Sequence, residues 1–179
     1  LNPLPIAVSP MSIDEKSRES FEGLLKKKNI GADISIIVEN NLKTSGLFNP
    51  LDKDAFLQAP DIANLKPRFE DWNLIKAQAL ITGKVNFIDD KLRVEFRLWD
   101  VLAGKEMMAL AFTTVPNNWR RVGHIIADKV YDLFVAGHIE DRQIAHLLAS
   151  GVVNAKSRKE GADLLKNFYQ SMQFLSPHQ

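Results

Sequence analysis

The stretch Leu92-Arg-Val-Glu-Phe-Arg-Leu98 decides the fold of this chain, because its apolar and charged residues alternate without a break. A period of two is typical of a strand that buries one face and exposes the other. Apolar runs stand on either side of it, at residues 79–88 and 107–115. The breaks between the runs are short and polar, as in hairpin turns, and the second contains a glycine. The sequence therefore predicts an antiparallel meander of three strands.

The composition is ordinary for a globular protein. The 179 residues are 45% hydrophobic and 25% charged, which suits one well-buried domain with an appendage. The formal net charge of +1 gives no reason to expect a polyanion such as nucleic acid as the partner. Cysteine is absent, which excludes disulfides, thiolate metal sites and a cysteine nucleophile.

The chain carries no sign of a membrane-spanning segment. No apolar run approaches the roughly 20 residues that a spanning helix needs. No basic segment followed by an apolar run marks a signal peptide at the N-terminus. We therefore expect no direct membrane insertion, and we expect that any signal peptide has already been removed.

The first ten residues read Leu1-Asn-Pro-Leu-Pro-Ile-Ala-Val-Ser-Pro10. Three prolines bracket a short apolar core, and proline is tolerated on edge strands because its missing N–H can face outward. The segment is therefore predicted to be an edge strand or an extended arm. A second, short edge strand is predicted at residues 47–52, around Pro50.

Two confident helices are predicted, at residues 30–45 and 118–134, because apolar residues recur there at helical spacing. A shorter helix is expected at residues 68–76. Residues 11–29 fit either a surface loop or a short helix, and residues 53–67 fit a surface connection. The run Lys26-Lys-Lys28 is interpreted as solvated surface rather than a phosphate patch, because no aromatic residue is interleaved with it.

These elements predict an α/β (α+β) fold in which a mixed sheet of about five strands contains the meander. Two helices are expected to pack on one face of the sheet. From residue 135 onward the chain changes character and predicts one or two amphipathic helices. We therefore expect a domain at residues 1–135 and a helical tail at residues 136–179.

The search for catalytic chemistry finds little. No phosphate-binding glycine loop, nucleophile elbow or zinc-protease motif is present. Asp89-Asp90 fits a turn, and Arg93, Glu95 and Arg97 fit a solvated strand face with ion pairs. A hydrolase using His124 or His146 is disfavoured, because neither has a nucleophile and base at usable spacing. The sequence predicts a binding module with no cofactor and no metal site, rather than an enzyme.

Several motifs of the chain resemble the amino-terminal domain of the TolB family, which belongs to the Tol-Pal system of Gram-negative bacteria. The motifs are Pro5-Ile-Ala-Val8, Ile34-Ser-Ile-Ile-Val-Glu-Asn-Asn-Leu-Lys-Thr-Ser-Gly-Leu-Phe-Asn-Pro-Leu-Asp52, Trp72, Ala79-Leu-Ile-Thr-Gly83, Phe96-Arg-Leu-Trp-Asp-Val101 with Gly104, and Trp119-Arg-Arg-Val-Gly-His-Ile-Ile-Ala-Asp-Lys-Val-Tyr131. The resemblance covers residues 4–134.

This resemblance implies a fold similar to the anticodon-binding domains of some tRNA synthetases, and a periplasmic location. It also implies a role in envelope integrity, cell division and protein import or translocation. Contact with TolA is implied for the N-terminal arm, residues 1–9. The partner-binding residues expected there are Leu1, Asn2, Pro3, Leu4, Pro5 and Ile6. The alternatives are a stand-alone adaptor and a nucleic-acid-binding module with an anticodon-binding-like fold.

In the family, a six-bladed β-propeller that binds Pal follows this domain. Beyond Phe134 the sequence shows no repeating strand-rich blades, and it predicts helices instead. We therefore expect the domain without its propeller, with TolA as a partner and Pal, whose binding is normally a property of the propeller, as a second candidate partner.

Overall fold

A mixed β-sheet carries the first compact unit of the chain, Leu1–Ala127, in the computed structural model. The structure describes residues 2–150, with side chains over residues 2–136. Within this part the strands are β1 (Leu4–Val8), β2 (Ser12–Ile13), β3 (Phe48–Pro50), β4 (Ala79–Ile88), β5 (Lys91–Asp100) and β6 (Lys105–Thr114). The sheet order is β3-β1-β4-β5-β6, and β2 pairs with β4 beside β1. This confirms the predicted mixed sheet and its fold class.

Five α-helices complete the described part of the chain. They are α1 (Glu15–Leu25), α2 (Ile30–Thr44), α3 (Pro60–Leu65), α4 (Phe69–Leu74) and α5 (Trp119–Ser150). Short 3₁₀ turns lie at Lys53–Ala55 and Pro116–Asn118. The predictions of α2, α4 and the start of α5 are confirmed within two residues. Residues 11–29 contain a helix rather than only a loop, and residues 53–67 contain α3 rather than a plain connection.

The three-stranded meander is confirmed almost as predicted. Strand β5 pairs antiparallel with β4 on one side and β6 on the other, so that Phe96 lies opposite Gly83 and Leu110. The pairing of β5 and β6 shifts between Leu98 and Trp99, which leaves Met107 as an extra residue on the edge strand. Such a bulge bends a strand and increases its twist.

One face of the sheet is covered by three helices. Helix α2 packs against β1 and β4, and α1 packs on β4, where the rings of Phe21 and Phe87 meet edge to face at 5.2 Å. Helix α5 joins this layer through Gly123: a side chain there would lie 2.7 Å from Ile37 of α2. Two helices were predicted on this face, and the structure places α1 there in addition to α2 and α5.

Among residues 2–136, elements that cover the opposite face lie near the start of β4. There Ala7 and Leu80 form a small buried cluster with Ala63 of α3 and Trp72 of α4. The indole N–H of Trp72 donates to Oε1 of Gln58 at 3.0 Å, so the buried ring has its polar atom satisfied. This second layer was not predicted.

Helix α5 continues without a break past residue 135 to Ser150, so the predicted helical character holds that far. The second unit of the chain begins at Asp128, within this helix. The further helix predicted around Leu164, Phe168 and Met172 lies outside the described residues. The proposed boundary between a domain at 1–135 and a tail at 136–179 stays a prediction.

The turn between β4 and β5 generates a stability prediction. Asp89 and Asp90 both adopt positive φ, 52° and 60°, which is the pattern of a two-residue type I′ hairpin. Asp90→Gly is expected to raise the free energy of unfolding by about 1 kcal/mol, because glycine has no Cβ to clash in this conformation. Urea denaturation followed by circular dichroism measures the change.

The matched control is Gly104→Ala in the next hairpin, at φ 65°, where the change should have the opposite sign. Equal effects of the two substitutions on stability would contradict this account of the turn.

The N-cap of α1 generates a prediction on pH. Oδ1 of Asp14 accepts the backbone N–H of Ser17 at 2.7 Å, and this bond is the main reason that the pKa of Asp14 is lowered. A carboxyl whose folded pKa is lowered stabilises the fold above its unfolded pKa, near ~4, and loses that contribution as the pH falls through the folded pKa. Asp14→Ala is therefore expected to cost about 1 kcal/mol at neutral pH, and less in acid.

Thermal unfolding at a series of pH values tests this, with Asp14→Asn as the control that keeps a capping oxygen but no charge. If the difference between Asp14→Ala and the parent chain were the same at pH 7 and in acid, the charge of Asp14 would have no part in the cap.

Candidate functional site

The predicted partner-binding segment begins outside the sheet and ends inside it. Asn2 and Pro3 are exposed and precede β1, whereas Leu4 and Pro5 are half-buried within the strand. Ile6 is 0% exposed. Leu1 lies outside the described residues. The structure thus divides the predicted site into an accessible start and a buried end.

The prediction that this segment is an edge strand or extended arm is wrong, because β1 lies inside the sheet between β3 and β4. The N–H of Leu4 donates to the carbonyl of Leu47 at 2.8 Å, on the side of β3. On the other side, the carbonyl of Pro5 accepts the N–H of Gln78 at 3.0 Å. Backbone hydrogen bonds therefore hold both sides of the strand.

Pro5 is tolerated in this interior strand because of its register. Ile6 is the first residue of β1 to pair with β4, opposite Ala79. The nitrogen and the carbonyl of Pro5 point to the same side, toward residues that precede β4. The position at which Pro5 lacks an N–H therefore lies before the first β1–β4 pair. The β1–β4 ladder loses no hydrogen bond to the proline. A proline near the start of a strand does not by itself indicate an edge.

The end of the sheet at which β1 begins also carries exposed leucines. The N–H of Gln78 donates to the carbonyl of Pro5, and the carbonyl of Gln78 accepts the N–H of Val101 at 3.0 Å. Pro5, Gln78 and Val101 therefore form a row across this end of the sheet. Leu74 and Leu102, each within four residues of this row along the chain, are 73% and 71% exposed. We call Asn2, Pro3, Leu74 and Leu102 the N-terminal end surface. It combines an accessible chain start with aliphatic side chains in water.

Two polar features of the sequence make surface contacts, and for the second, the exposed face of β5, this was the predicted role. The exposed ring of His124 makes a surface hydrogen bond, with Nδ1 2.9 Å from Nδ2 of Asn41. On the open face of the sheet, Arg93 pairs with Glu95 and Arg97 pairs with Glu106, each at 3.0 Å. His146 lies beyond the residues whose side chains are described. Over residues 2–136, no group of three or more metal-ligating side chains could hold a metal ion.

Sequence reasoning missed two surface clefts. One, of about 430 Å³, lies between α2 and the chain after β3, where Nζ of Lys53 is 3.3 Å from Oε1 of Glu39. Burial raises the pKa of Glu39, and the charge of Lys53 opposes that rise. Its lining residues are Glu39, Asn40, Lys43, Pro50, Leu51, Asp52, Lys53 and Asp54. No spacing in the sequence indicated this cleft, because its charged groups come from different elements.

The second cleft, of about 380 Å³, lies between the edge strand β6 and the first turns of α5. Its lining residues are Ala111, Phe112, Thr113, Thr114, Asn118, Arg121, Val122 and Ile125. Strand β6 is the last strand in the sheet order of the described residues, and Ala109, Ala111 and Thr113 on one of its faces are exposed. In the part of the chain that is described, no helix has the length and apolar character to cross a bilayer.

Comparison with known proteins gives one consistent result. The family model of the TolB amino-terminal domain matches residues 1–107. The chain is 80% identical over 132 residues to the Tol-Pal system protein TolB of Pelagibacter ubique (strain HTCC1062), which covers 74% of this chain and 30% of that protein. The crystal structure of TolB from Acinetobacter baumannii matches with a TM-score of 0.58 at 20% identity, covering 75% of this chain and 29% of that one.

The likeness to the Acinetobacter baumannii structure, at 20% identity, shows similarity of fold alone. The chain spans about a third of the length of these relatives, 30% and 29%. The residues matched by the family model, 1–107, contain β1 to β5 and the start of β6, and they include the whole of the N-terminal end surface. Because the family model covers more than half of the chain, this protein belongs to the TolB amino-terminal domain family.

Proposed function

We propose that this chain is a non-enzymatic interaction domain of the Tol-Pal envelope system and that it acts in the bacterial periplasm. The observation that carries the proposal is the 80% identity over 132 residues to a Tol-Pal system protein TolB. The described surface supports it, because exposed aliphatic side chains such as Leu74 and Leu102 offer apolar area of the kind that a protein interface buries.

TolA is the proposed partner, and the contact is proposed to lie within the N-terminal segment predicted from the sequence, namely Leu1, Asn2, Pro3, Leu4, Pro5 and Ile6. Asn2 and Pro3 are accessible without any change in the sheet. Leu74 and Leu102 flank the same end, so a partner that reaches the first residues also meets exposed apolar surface. Such aliphatic side chains provide the apolar area that a protein interface buries.

Contact through Ile6 itself would require β1 to leave the sheet. That step breaks backbone hydrogen bonds on both sides of β1. It also exposes the side chains of Ile6 and Val8, which are fully buried (0% exposed) while β1 is paired. Exposing a fully buried aliphatic side chain costs ~1.5 to 3 kcal/mol, and a domain has only ~5 to 15 kcal/mol of stability. The proposed contact is therefore made by the first residues while β1 stays paired.

Pal is the other partner expected in this system. The family resemblance assigns Pal binding to a propeller, and we place no Pal contact on the described residues.

Deletion of residues 1–3 is expected to abolish binding of a TolA C-terminal domain, because it removes the accessible start of the segment and leaves β1 complete. Isothermal titration calorimetry with the parent chain and the deletion variant measures the loss. Leu102→Ser, at the same end of the sheet, is expected to weaken the complex about tenfold, as removal of a buried aliphatic contact does.

Ile88→Ser is the matched control, because Ile88 is also an exposed aliphatic residue but lies at the other end of β4. It should bind TolA as the parent does. Absence of heat with the parent chain, or unchanged binding after the deletion, would remove the basis for this proposal.

A further inference from the structure

Two basic side chains, those of Lys27 and Arg120, lie over the ring of Trp119, and three more basic residues adjoin these two in the chain. Nζ of Lys27 lies 5.7 Å from the ring centroid, and Cζ of Arg120 lies 4.4 Å from it. Lys26 and Lys28 adjoin Lys27 in the chain, and Arg121 follows Arg120. We call Lys26, Lys27, Lys28, Arg120 and Arg121 the Trp119 corner. Two separate parts of the sequence contribute to it.

The ends of two helices build this corner. Helix α1 ends at Leu25, and the capping residue Lys26 adopts a left-handed conformation (φ 58°) and donates its N–H to the carbonyl of Glu22. Helix α1 also packs against the turn Pro116–Asn118, which leads directly into α5. The lysine run at the end of one helix is thereby placed beside the arginine pair at the start of the other. As predicted, Lys26 and Lys28 are solvated, but the fold supplies the aromatic neighbour that the local sequence lacks.

The corner has no counter-charge in the part of the chain that is described. None of its five cations forms an ion pair within 4 Å there, whereas Arg18, Lys53, Arg68, Arg93 and Arg97 do. Glu22, one turn before Lys26, is exposed and unpaired with them. The first turn of α5 contains no acidic residue, although that end of a helix is stabilised by negative charge and disfavours arginine. Helix stability therefore does not explain why the cations are grouped here, and a negatively charged ligand would.

The neighbours of the corner indicate which kind of ligand it takes. One of its cations, Arg121, also lines the cleft between β6 and α5. Leu24, on the last turn of α1, is 58% exposed, and Val115, just before the turn Pro116–Asn118, is also exposed. Trp119 is only 6% exposed and serves as the platform for the cations. Basic residues beside exposed aliphatic ones are typical of surfaces that lie on a membrane.

We propose that the Trp119 corner binds the surface of a membrane that contains anionic phospholipid. The cations contact the phosphate groups, and Leu24 and Val115 rest at the boundary of the acyl chains. This is reversible surface attachment and needs no spanning helix. The corner shares no residue with the N-terminal end surface, so binding to lipid and binding to TolA can be tested, and can fail, independently.

The test is sedimentation of the full chain with vesicles of phosphatidylcholine alone or with about 30% phosphatidylglycerol. The parent chain is expected to sediment only with the anionic vesicles, and less at roughly 0.3 M salt than at roughly 0.05 M, because salt screens the attraction. The triple variant Lys26→Gln, Lys27→Gln and Lys28→Gln is expected to bind them about tenfold more weakly or worse. Leu24→Ser should weaken binding further.

The matched control is Lys66→Gln, Lys91→Gln and Lys105→Gln, which removes the same charge from exposed lysines elsewhere. It should bind as the parent does, and circular dichroism should show that both triple variants are folded. Equal losses in the two triple variants, equal binding to uncharged vesicles, or no binding at all would overturn the proposal. Binding of a polyglutamate probe without binding of vesicles would also overturn it, and would assign the corner to an acidic protein.

Discussion

The architecture depends on the pairing of β1 with two parallel neighbours. This five-residue strand is the partner through which β3 joins the sheet, and it lies beside β4, the first strand of the meander. Its alternate side chains enter both layers of the domain: Ile6 and Val8 are buried on the side of the large helices, and Ala7 is buried in the cluster around Trp72. Loss of β1 would therefore separate β3 from the meander and uncover both layers at once.

The sequence was sufficient for the elements whose causes are local. Alternation along Leu92–Leu98 predicted β5, and the polar pairs on either side predicted its hairpins, because side-chain period and turn chemistry act over a few residues. The apolar spacing that predicted α2 and the start of α5 is local in the same sense. These predictions agree with the observed bounds within a few residues.

What the sequence did not reveal depends on distant neighbours. A period of two tells which face a residue takes but not which strand lies beside it, so β1 was placed at an edge although it is interior. Helix α3 is short, and it is stabilised by packing of Ala63 in the cluster around Trp72 rather than by its own pattern. The contact between Lys27, in the loop after α1, and Trp119, at the start of α5, joins residues that are remote in sequence, and no local rule could have predicted it.

The position of β1 also has a consequence for the order in which the chain can fold. The meander closes through two tight turns, whereas Ile6 meets Ala79 only after a long intervening segment has been ordered, at a cost in loop entropy. During synthesis β1 and β3 are made well before β4, so the side of β1 that pairs with β4 stays open until β4 has emerged. Until then the nascent chain carries three apolar residues, Ile6, Ala7 and Val8, that are 0% exposed in the folded domain and are not yet packed beside β4.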